Sequence, residues 1–321
     1  MNTCYVGMSQ SAKRLSEGNI MQSNQLRGNN GPRIKSELQD YYEFESIAVK
    51  KMTPVIGAEI FEIDLSQPLS KLQEIEIQHA FAENQVIFFR NQIISKQNHL
   101  DLGRLFGNLH IHPAAPHVEG IPEMMQIYAD QNSPRANGEA WHSDVSCDIE
   151  PPLGTILQII QSPPYGGDTL FASMYAAYDA LSERMKKYLR GLTAIHDGEP
   201  VYRGLYKNFG VEDKESYPQA EHPVIRTHPV TGRNALYVNR GFTTRIVGIP
   251  IDESDGVLTY LFEHMENPLF QCRFRWEENS IAFWDNRCVQ HRAIWDYWPH
   301  TRSGNRVTIC GDKPFFNELV S

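Results

Sequence analysis

The chain has 321 residues, 41% of them hydrophobic, and a formal net charge of -9 at pH 7. This is enough apolar material for one large domain or two ordinary ones, and the negative charge argues against nucleic acid as a partner because phosphate binding needs clustered Lys and Arg. No stretch has the apolar length of a membrane span, and the first ten residues lack the pattern of a secretory signal, so we expect no membrane contact and cytoplasmic residence.

The composition of the first part of the chain indicates a flexible leader. Residues 1–46 are mostly rich in Ser, Asn, Gln and Gly and poor in periodic apolar positions. From about Ile47 the sequence becomes rich in Pro, Gly and strand-like segments. We therefore expect a leader over residues 1–46 and a single domain over residues 47–321.

Helices and buried strands are predicted next. Ser70-x-x-Gln73 is a capping box that opens an amphipathic helix. The other predicted elements of this part are an early strand pair within Val55–Ile63, a buried strand Val86–Phe89, a helix from Ser95 through Leu105, and a helical stretch Met174–Leu189 broken near Ser182.

Short strands account for much of the remaining sequence. They are predicted at Thr155–Ile160, Ala235–Val238, Cys272–Trp276, Ile281–Trp284 and Arg306–Ile309, separated by Gly, Pro, Asn and Asp turns. Many short strands with a few covering helices indicate a mainly β fold with flanking helices (α+β), arranged as an antiparallel double-sheet barrel or jelly roll.

The pair His142 and Asp144 is the strongest chemical signal in the sequence. In an extended strand, residues two apart point to the same face, so the imidazole and the carboxylate converge. His291, far downstream, is the candidate third ligand. Two histidines and one carboxylate are the ligand set of non-haem Fe(II) oxygenases, which leaves coordination positions open.

Two arginines follow the distal histidine. Arg302 and Arg306 are four positions apart and would share a face of a regular strand. A planar guanidinium near a metal is suited to grip the carboxylate of a 2-oxo acid. Thr169, in Gly166-Gly-Asp-Thr-Leu170, could bond the same carboxylate through its hydroxyl. His110 and His112 have the spacing of a metal pair without a third partner, and His112 is preferred as a pocket donor.

The chain resembles the Fe(II)/2-oxoglutarate-dependent dioxygenases of the taurine dioxygenase family from about Thr53 to Phe316. The blocks that carry the resemblance are Phe106-Gly-Asn-Leu-His-Ile-His-Pro113, Trp141-His-Ser-Asp144, Gly166-Gly-Asp-Thr169, His228-Pro-Val-Thr-Gly232, Val238-Asn-Arg-Gly-Phe-Thr-Thr-Arg-Ile-Val247, Trp284-Asp-Asn-Arg287 and Gly311-Asp-Lys-Pro314.

The resemblance implies a double-stranded β-helix, cupin-like, that uses Fe(II), 2-oxoglutarate and O2. It places iron on His142, Asp144 and His291, and 2-oxoglutarate on Thr169 and Arg302. Trp284 would wall the cosubstrate pocket. The substrate would be met by the residues His112, Arg306, Phe242 and Tyr202.

Three positions depart from taurine-specific relatives. Ala115 stands where a tyrosine is expected, Gly138 replaces an asparagine near the amine, and Tyr202 replaces a phenylalanine. The expected reaction is hydroxylation of a small anionic substrate, taurine or a related sulfonate, with release of sulfite and an aldehyde for sulfur acquisition.

Other functions stay open at this point. An alkyl sulfate ester or a carboxylate could be the substrate of the same chemistry. A zinc hydrolase could use the same ligand set, and a non-catalytic metal-binding barrel would leave Arg302 without a role. The sequence also leaves a homo-oligomer open.

Overall fold

The computed structural model describes residues 42–112, 115–133, 138–205, 207 and 212–318. Most of the predicted leader, residues 1–41, lies outside this range. At its end Tyr42 stacks on His79, with ring centroids 4.2 Å apart, and the backbone N–H of Glu45 donates to Glu76 at 2.7 Å. The division of the chain at residue 47 stays a prediction.

The described strands and helices alternate irregularly along the chain. The strands are β1 (Ala48–Lys51), β2 (Ala58–Phe61), β3 (Val86–Phe89), β4 (Leu109–His110), β5 (His117–Val118), β6 (Ile121–Ala129), β7 (Gly154–Gln161), β8 (Thr169–Ser173), β9 (Thr193–Asp197), β10 (Gln219–Pro223), β11 (Ile225–Thr227), β12 (Asn234–Leu236), β13 (Thr243–Ile246), β14 (Gln271–Phe274), β15 (Ser280–Asp285), β16 (Val289–Ala293) and β17 (Arg302–Ile309). The α-helices are α1 (Lys71–Asn84), α2 (Lys96–Arg104), α3 (Met174–Asp179), α4 (Glu183–Leu189), α5 (Glu199–Tyr202) and α6 (Ile251–Met265).

The strands form one large sheet and several small ones. The large sheet has the order β1-β2-β3-β15-β7-β17-β6-β5, with β4 added beside β17. Its pairs are antiparallel except β2 with β3, which is parallel. A second sheet has the order β14-β8-β16. Ring contacts join the two sheets: Phe88 stacks on Phe274 at 4.0 Å, and Phe171 lies 5.6 Å from Trp284. The predicted double-sheet β architecture is confirmed.

The large sheet is covered on its other side by α1. Phe81 of this helix stacks on Phe283 of β15 with centroids 3.9 Å apart. In β3, Ile87 and Phe89 join the same cluster as Phe81, whereas Phe88 points to the second sheet. Because both faces are covered, all four residues of β3 are buried, as the continuous apolar run predicts.

Capping residues visible in the sequence mark the observed starts of several helices. Ser70 caps α1 through a complete capping box, Ser95 caps α2 in the same way, and Ser182 caps α4 after the predicted break. The early strand pair is wrong in position, because β2 pairs with β1, which lies upstream of Val55. Strand β17 begins at Arg302, earlier than predicted, so both arginines lie on it. Among the described residues, no helix is both long and apolar enough to cross a lipid bilayer.

Candidate active site

Three potential metal ligands meet between the two sheets. His142 and His291 form an isolated antiparallel bridge, with backbone N–H to carbonyl distances of 3.1 and 2.9 Å. Oδ1 of Asp144 lies 3.5 Å from Nε2 of His142 and 3.6 Å from Nε2 of His291. The three ligand atoms all lie within 4.8 Å of one another. The structure therefore brings the predicted distal histidine to the predicted pair.

The backbone around the pair differs from the expected extended strand. His142 forms an isolated bridge with His291 in place of a regular strand, and a turn begins at Asp144. Val145 has a φ of 46°, a left-handed conformation that is rare for a β-branched residue. The expectation of a regular strand is thus wrong here. The two side chains still converge because the bridge orients His142 and the turn redirects the chain immediately after it.

The two histidines can offer unprotonated Nε2 atoms to a divalent metal. Nδ1 of His142 lies 2.8 Å from the carbonyl of Ala140, which places the proton on Nδ1 and leaves the Nε2 lone pair available. Burial holds the pKa of His291 well below its usual value, which favours the neutral imidazole that a metal requires. Ligand atoms about 2.1 Å from one ion lie roughly 3.0–3.5 Å apart, close to the observed spacing.

Asp144 is buried but ionised. Its side chain is 2% exposed, and burial alone would raise its pKa, yet the neighbouring guanidinium of Arg306 holds the pKa well below its usual value. Oδ2 accepts from a guanidinium nitrogen of Arg306 at 2.7 Å and from Thr155 Oγ1 at 2.8 Å. Oδ1, which faces the imidazoles, is the oxygen left for a metal.

Arg302 provides a second buried cation in the same cavity. It is 6% exposed, and its Nε has no hydrogen-bond partner among the described residues. The nearby carboxylate of Asp168 is engaged by Arg273 at 2.6 Å. Burial lowers the pKa of Arg302 below its usual value. A buried guanidinium whose N–H groups are only partly hydrogen-bonded is suited to bind an anionic ligand such as a carboxylate.

Thr169 and Trp276 lie beside this arginine. The ring of Trp276 is 5.4 Å from Cζ of Arg302, and its indole N–H donates to Thr169 Oγ1 at 2.9 Å. With one acceptor position filled by the indole, the hydroxyl proton of Thr169 can be donated to a ligand. Trp276 was assigned no role from the sequence, although it closes a predicted strand.

Trp284 lines the same cavity beside the metal ligands, and its role in walling the cosubstrate pocket stays a prediction. Its ring centroid is 4.6 Å from His291, and Cζ of Arg306 is 5.8 Å from the ring. Trp284 therefore packs against a ligand imidazole and Arg306, whereas Trp276 packs against Arg302.

Both arginines face the cavity because they lie four positions apart on β17, which pairs with β6 without a register shift. The register between β17 and β7 shifts between Ser303 and Gly304. At Gly304, an added Cβ would lie 2.2 Å from the carbonyl oxygen of Gln158, so only glycine permits this close approach.

The cavity has a volume of about 470 Å³, within the range of roughly 300–1,000 Å³ typical of small-molecule sites. Its described lining residues are His112, Met125, Ile127, Gly138, Glu139, Ala140, His142, Asp144, Val145, Leu157, Thr169, Pro200, Val201, Tyr202, Leu205, Arg240, Gly241, Phe242, Trp276, Trp284, His291, Ala293, Arg302 and Arg306. The structure thus brings every residue predicted for the site into one cavity.

Part of the cavity wall, here called the apolar chamber, belongs to a buried apolar cluster. Ala115, Met125, Val145, Cys147, Tyr202 and Phe242 form one buried cluster, against which Ile127, Val201, Leu205 and Tyr217 pack. Most of the chamber was not predicted from the sequence. The alternation of β6 and the apolar positions around α5 are the signals that could have indicated it.

His112 stands between the chamber and Arg306. Its Nδ1 accepts the backbone N–H of Ala115 at 2.9 Å, which places the proton of a neutral imidazole on Nε2. Burial and the neighbouring Arg306 lower the pKa of His112 to about 3. His110 instead lies 3.2 Å from Asp148, away from the three ligands. His112 is therefore a neutral donor at the cavity wall.

Ala115 and Gly138, the two small residues that depart from taurine-specific relatives, each contact a histidine that lines the cavity. Ala115 is buried and fixes His112 through its backbone. Gly138 has a φ of 84°, and an added Cβ would lie 3.3 Å from the His142 ring. A larger residue at 138 would strain the backbone and press on a ligand.

A second group of potential metal ligands, around Asp285, forms a network of ion pairs. Asp285 accepts from Arg287 at 2.8 and 2.6 Å and lies 3.1 Å from Nε2 of His228. Nδ1 of His228 accepts the backbone N–H groups of Val230 and Thr231 at 3.2 and 3.1 Å. Both ring nitrogens are thus engaged, which leaves no lone pair for a metal.

Comparison with known proteins gives a consistent result. The profile of the family described as taurine catabolism dioxygenase TauD, TfdA matches residues 48–308. A Saccharomyces cerevisiae protein named alpha-ketoglutarate-dependent sulfonate dioxygenase is 34% identical over 281 residues, 84% of this chain and 68% of that protein. An alpha-ketoglutarate-dependent sulfate ester dioxygenase of Pseudomonas putida is 34% identical over 268 residues, 81% of this chain and 88% of that protein. The crystal structure of a taurine dioxygenase from Burkholderia xenovorans matches with a TM-score of 0.74 and 34% identity, covering 84% of this chain and 91% of that one.

Proposed function

The chain belongs to the taurine catabolism dioxygenase TauD, TfdA family and is an alpha-ketoglutarate-dependent dioxygenase, and we propose that it oxidises a small organic sulfonate or sulfate ester with an apolar tail. Fe(II) would be held by His142, Asp144 and His291, and would supply the chemistry that couples O2 and 2-oxoglutarate to oxidation of the substrate. Thr169 and Arg302 would bind the far carboxylate of 2-oxoglutarate.

The observation that carries the substrate proposal is the position of Arg306. Its guanidinium lines the cavity between Asp144 and the apolar chamber, and its buried Nε has no hydrogen-bond partner among the described residues. One of its N–H groups bonds Asp144, and the others can meet an anionic head group. Nε2–H of His112 would be a second donor to this group.

The charges of the site favour a monoanion. The two arginines, the carboxylate of Asp144 and a divalent ion together leave three positive charges. The dianion of 2-oxoglutarate neutralises two of them, and a singly charged sulfonate, sulfate ester or carboxylate neutralises the third. Arg240 at the rim is already paired with Glu266, and Glu139 is exposed.

The chamber favours an apolar tail over the ammonium group of taurine. Apart from Asp144, the described carboxylate that lines the cavity is the exposed Glu139. Each CH2 of an alkyl tail that leaves water contributes about 0.8 kcal/mol, whereas an ammonium placed among Met125, Tyr202 and Phe242 would lose hydration without a partner.

The protein's own residues would orient the reaction. Head-group binding at Arg306 and His112 would place the carbon next to the sulfur group toward the metal position, while the chamber would hold the tail and exclude water. Hydroxylation of that carbon breaks a C–H bond. A hydroxylated sulfonate then collapses to an aldehyde and sulfite, and a hydroxylated sulfate ester collapses to an aldehyde and sulfate.

A matched substrate panel tests the proposal. Hexanesulfonate, hexyl sulfate, hexanoate, taurine and neutral hexanol are compared for succinate formation, with sulfite, sulfate and aldehyde measured alongside. We expect succinate in step with sulfite from hexanesulfonate or sulfate from hexyl sulfate, weak turnover of taurine, and loss of kcat/KM in Arg306→Gln. Equal turnover of hexanol, unaffected by Arg306→Gln, would contradict the proposal.

A further inference from the structure

A chain of hydrogen bonds runs beneath the carboxylate of Asp144. The side-chain oxygen of Asn286 accepts the backbone N–H of Asp144 at 3.3 Å and the indole N–H of Trp284 at 3.0 Å. The amide nitrogen of Asn286 donates to Thr155 Oγ1 at 3.1 Å, and Thr155 Oγ1 donates to Oδ2 of Asp144 at 2.8 Å. Thr155 and Asn286 are both fully buried. Neither residue lines the described cavity, so both contact Asp144 from the side opposite the cavity.

The direction of this chain is fixed by the donors at its start. Two N–H groups point to the same atom of Asn286, so that atom is the oxygen, and the nitrogen must face Thr155. A threonine hydroxyl has one proton and two acceptor positions. Because Asn286 donates to it, Thr155 commits its proton to Asp144. Thr308 Oγ1, 3.5 Å away, can fill the second acceptor position.

We propose that Thr155, set by Asn286, is a positioning residue that makes Asp144 bind the metal through Oδ1 alone. This inference rests on the proposed iron site. A carboxylate can rotate or chelate through both oxygens, but a donor on Oδ2 opposes both movements. One-oxygen binding leaves more of the metal's positions to 2-oxoglutarate and O2.

Thr155 has a role here that Arg306 cannot replace. Arg306 also bonds Oδ2, but its other N–H groups face the cavity, and it is shared with the substrate head group in the proposed function. Thr155 has no contact with the cavity, so its bond to Asp144 stays the same with or without substrate. Asn286, within the block Trp284–Arg287, thereby has a role that the ligand set alone does not explain.

The test is the affinity of the purified protein for Mn(II) alone, measured by calorimetry or by the electron paramagnetic resonance of free Mn(II). Thr155→Val keeps the shape and removes the hydroxyl, and we expect binding about 10–100-fold weaker. Thr155→Ser restores the donor and should bind within about threefold of the wild type. Asn286→Ala removes the donor to Thr155 and should weaken binding in the same direction, so the inference stays testable if Thr155→Val does not fold.

The control is Thr227→Val, which removes another buried hydroxyl. Thr227 bonds Asn234 at 2.7 Å and the backbone of Asn317 at 2.9 Å, away from the ligands. This control should keep wild-type Mn(II) affinity. Wild-type affinity in folded Thr155→Val or Asn286→Ala would overturn the inference alone. Mn(II) binding that survives His291→Ala would overturn the proposed metal site and the inference with it.

Discussion

Replacing Arg302 with methionine should weaken the binding of 2-oxoglutarate and, at the same time, stabilise the protein that lacks it. Arg302 is 6% exposed, its Nε has no hydrogen-bond partner among the described residues, and Asp168 is engaged by Arg273. The guanidinium is therefore desolvated without full compensation until an anion arrives. Methionine fills a similar volume and needs no partner.

The size of both effects follows from the contact that is lost. A hydrogen bond to a charged group contributes about 1.5–3 kcal/mol, and each 1.4 kcal/mol is a factor of ten in affinity. The dissociation constant for 2-oxoglutarate should thus rise roughly 10–150-fold. Removal of an under-compensated buried cation should raise the stability of the ligand-free protein by on the order of 1 kcal/mol, which is roughly 1–2 °C in Tm for a chain of this length.

Two measurements check this prediction together. Calorimetric titration of the Mn(II)-loaded protein gives the affinity for 2-oxoglutarate, and thermal unfolding without ligand gives Tm. The control is Arg104→Met, because Arg104 pairs with Asp101 on the exposed side of α2, and it should change neither quantity appreciably. An Arg302→Met protein with unchanged affinity and a lower Tm would show that Arg302 is a structural cation, and the reasoning would be refuted.

Three further predictions concern other buried groups. Burial lowers the pKa of His99 from 6.5 to about 4, and its Nε2 bonds the carbonyl of Ile156 at 3.1 Å. As the pH falls below 6.5, the unfolded chain therefore takes up a proton at this histidine before the folded protein does. The free energy of unfolding should fall by up to about 3 kcal/mol between pH 6.5 and about pH 4. His99→Gln should flatten the fall of Tm in this window, and an unchanged slope would count against a neutral buried histidine. Tyr202→Ala should enlarge the chamber and move the best alkanesulfonate, judged by kcat/KM, to a tail at least two carbons longer; an unmoved optimum would show that the tail lies elsewhere. Trp276→Phe should raise the KM for 2-oxoglutarate about threefold to tenfold, because Thr169 loses a hydrogen bond of about 1 kcal/mol, and an equal KM would remove Trp276 from the cosubstrate site.

Elements with strong local signals could be predicted from the sequence, and those without them could not. The capping boxes of α1 and α2 involve residues three positions apart, so the sequence displays them directly. The helix α6 was missed because Pro250 precedes it without a side-chain cap, and its first turn is polar. Its buried positions Ser254, Leu258, Leu261 and Met265 follow a helical spacing that could have revealed it.

In the site, too, contacts between residues close in sequence could be predicted, and contacts between distant segments could not. The spacing of His142 and Asp144 is visible in the sequence, but the bridge that joins His142 to His291 depends on how distant segments pair. The family resemblance supplied that pairing. The hydrogen bonds of Thr155 with Asp144 and Asn286 join side chains 11 and 131 positions apart, and no local pattern marks them.

We propose above that His142, Asp144 and His291 hold Fe(II) in the cavity where Arg302 binds 2-oxoglutarate. The most direct test is the visible absorption spectrum of the purified protein under anaerobic conditions. We expect a metal-to-ligand charge-transfer band that needs both Fe(II) and 2-oxoglutarate, saturates at one equivalent of iron, and disappears in His291→Ala. No band in the wild type, or an unchanged band in His291→Ala, would contradict this proposal.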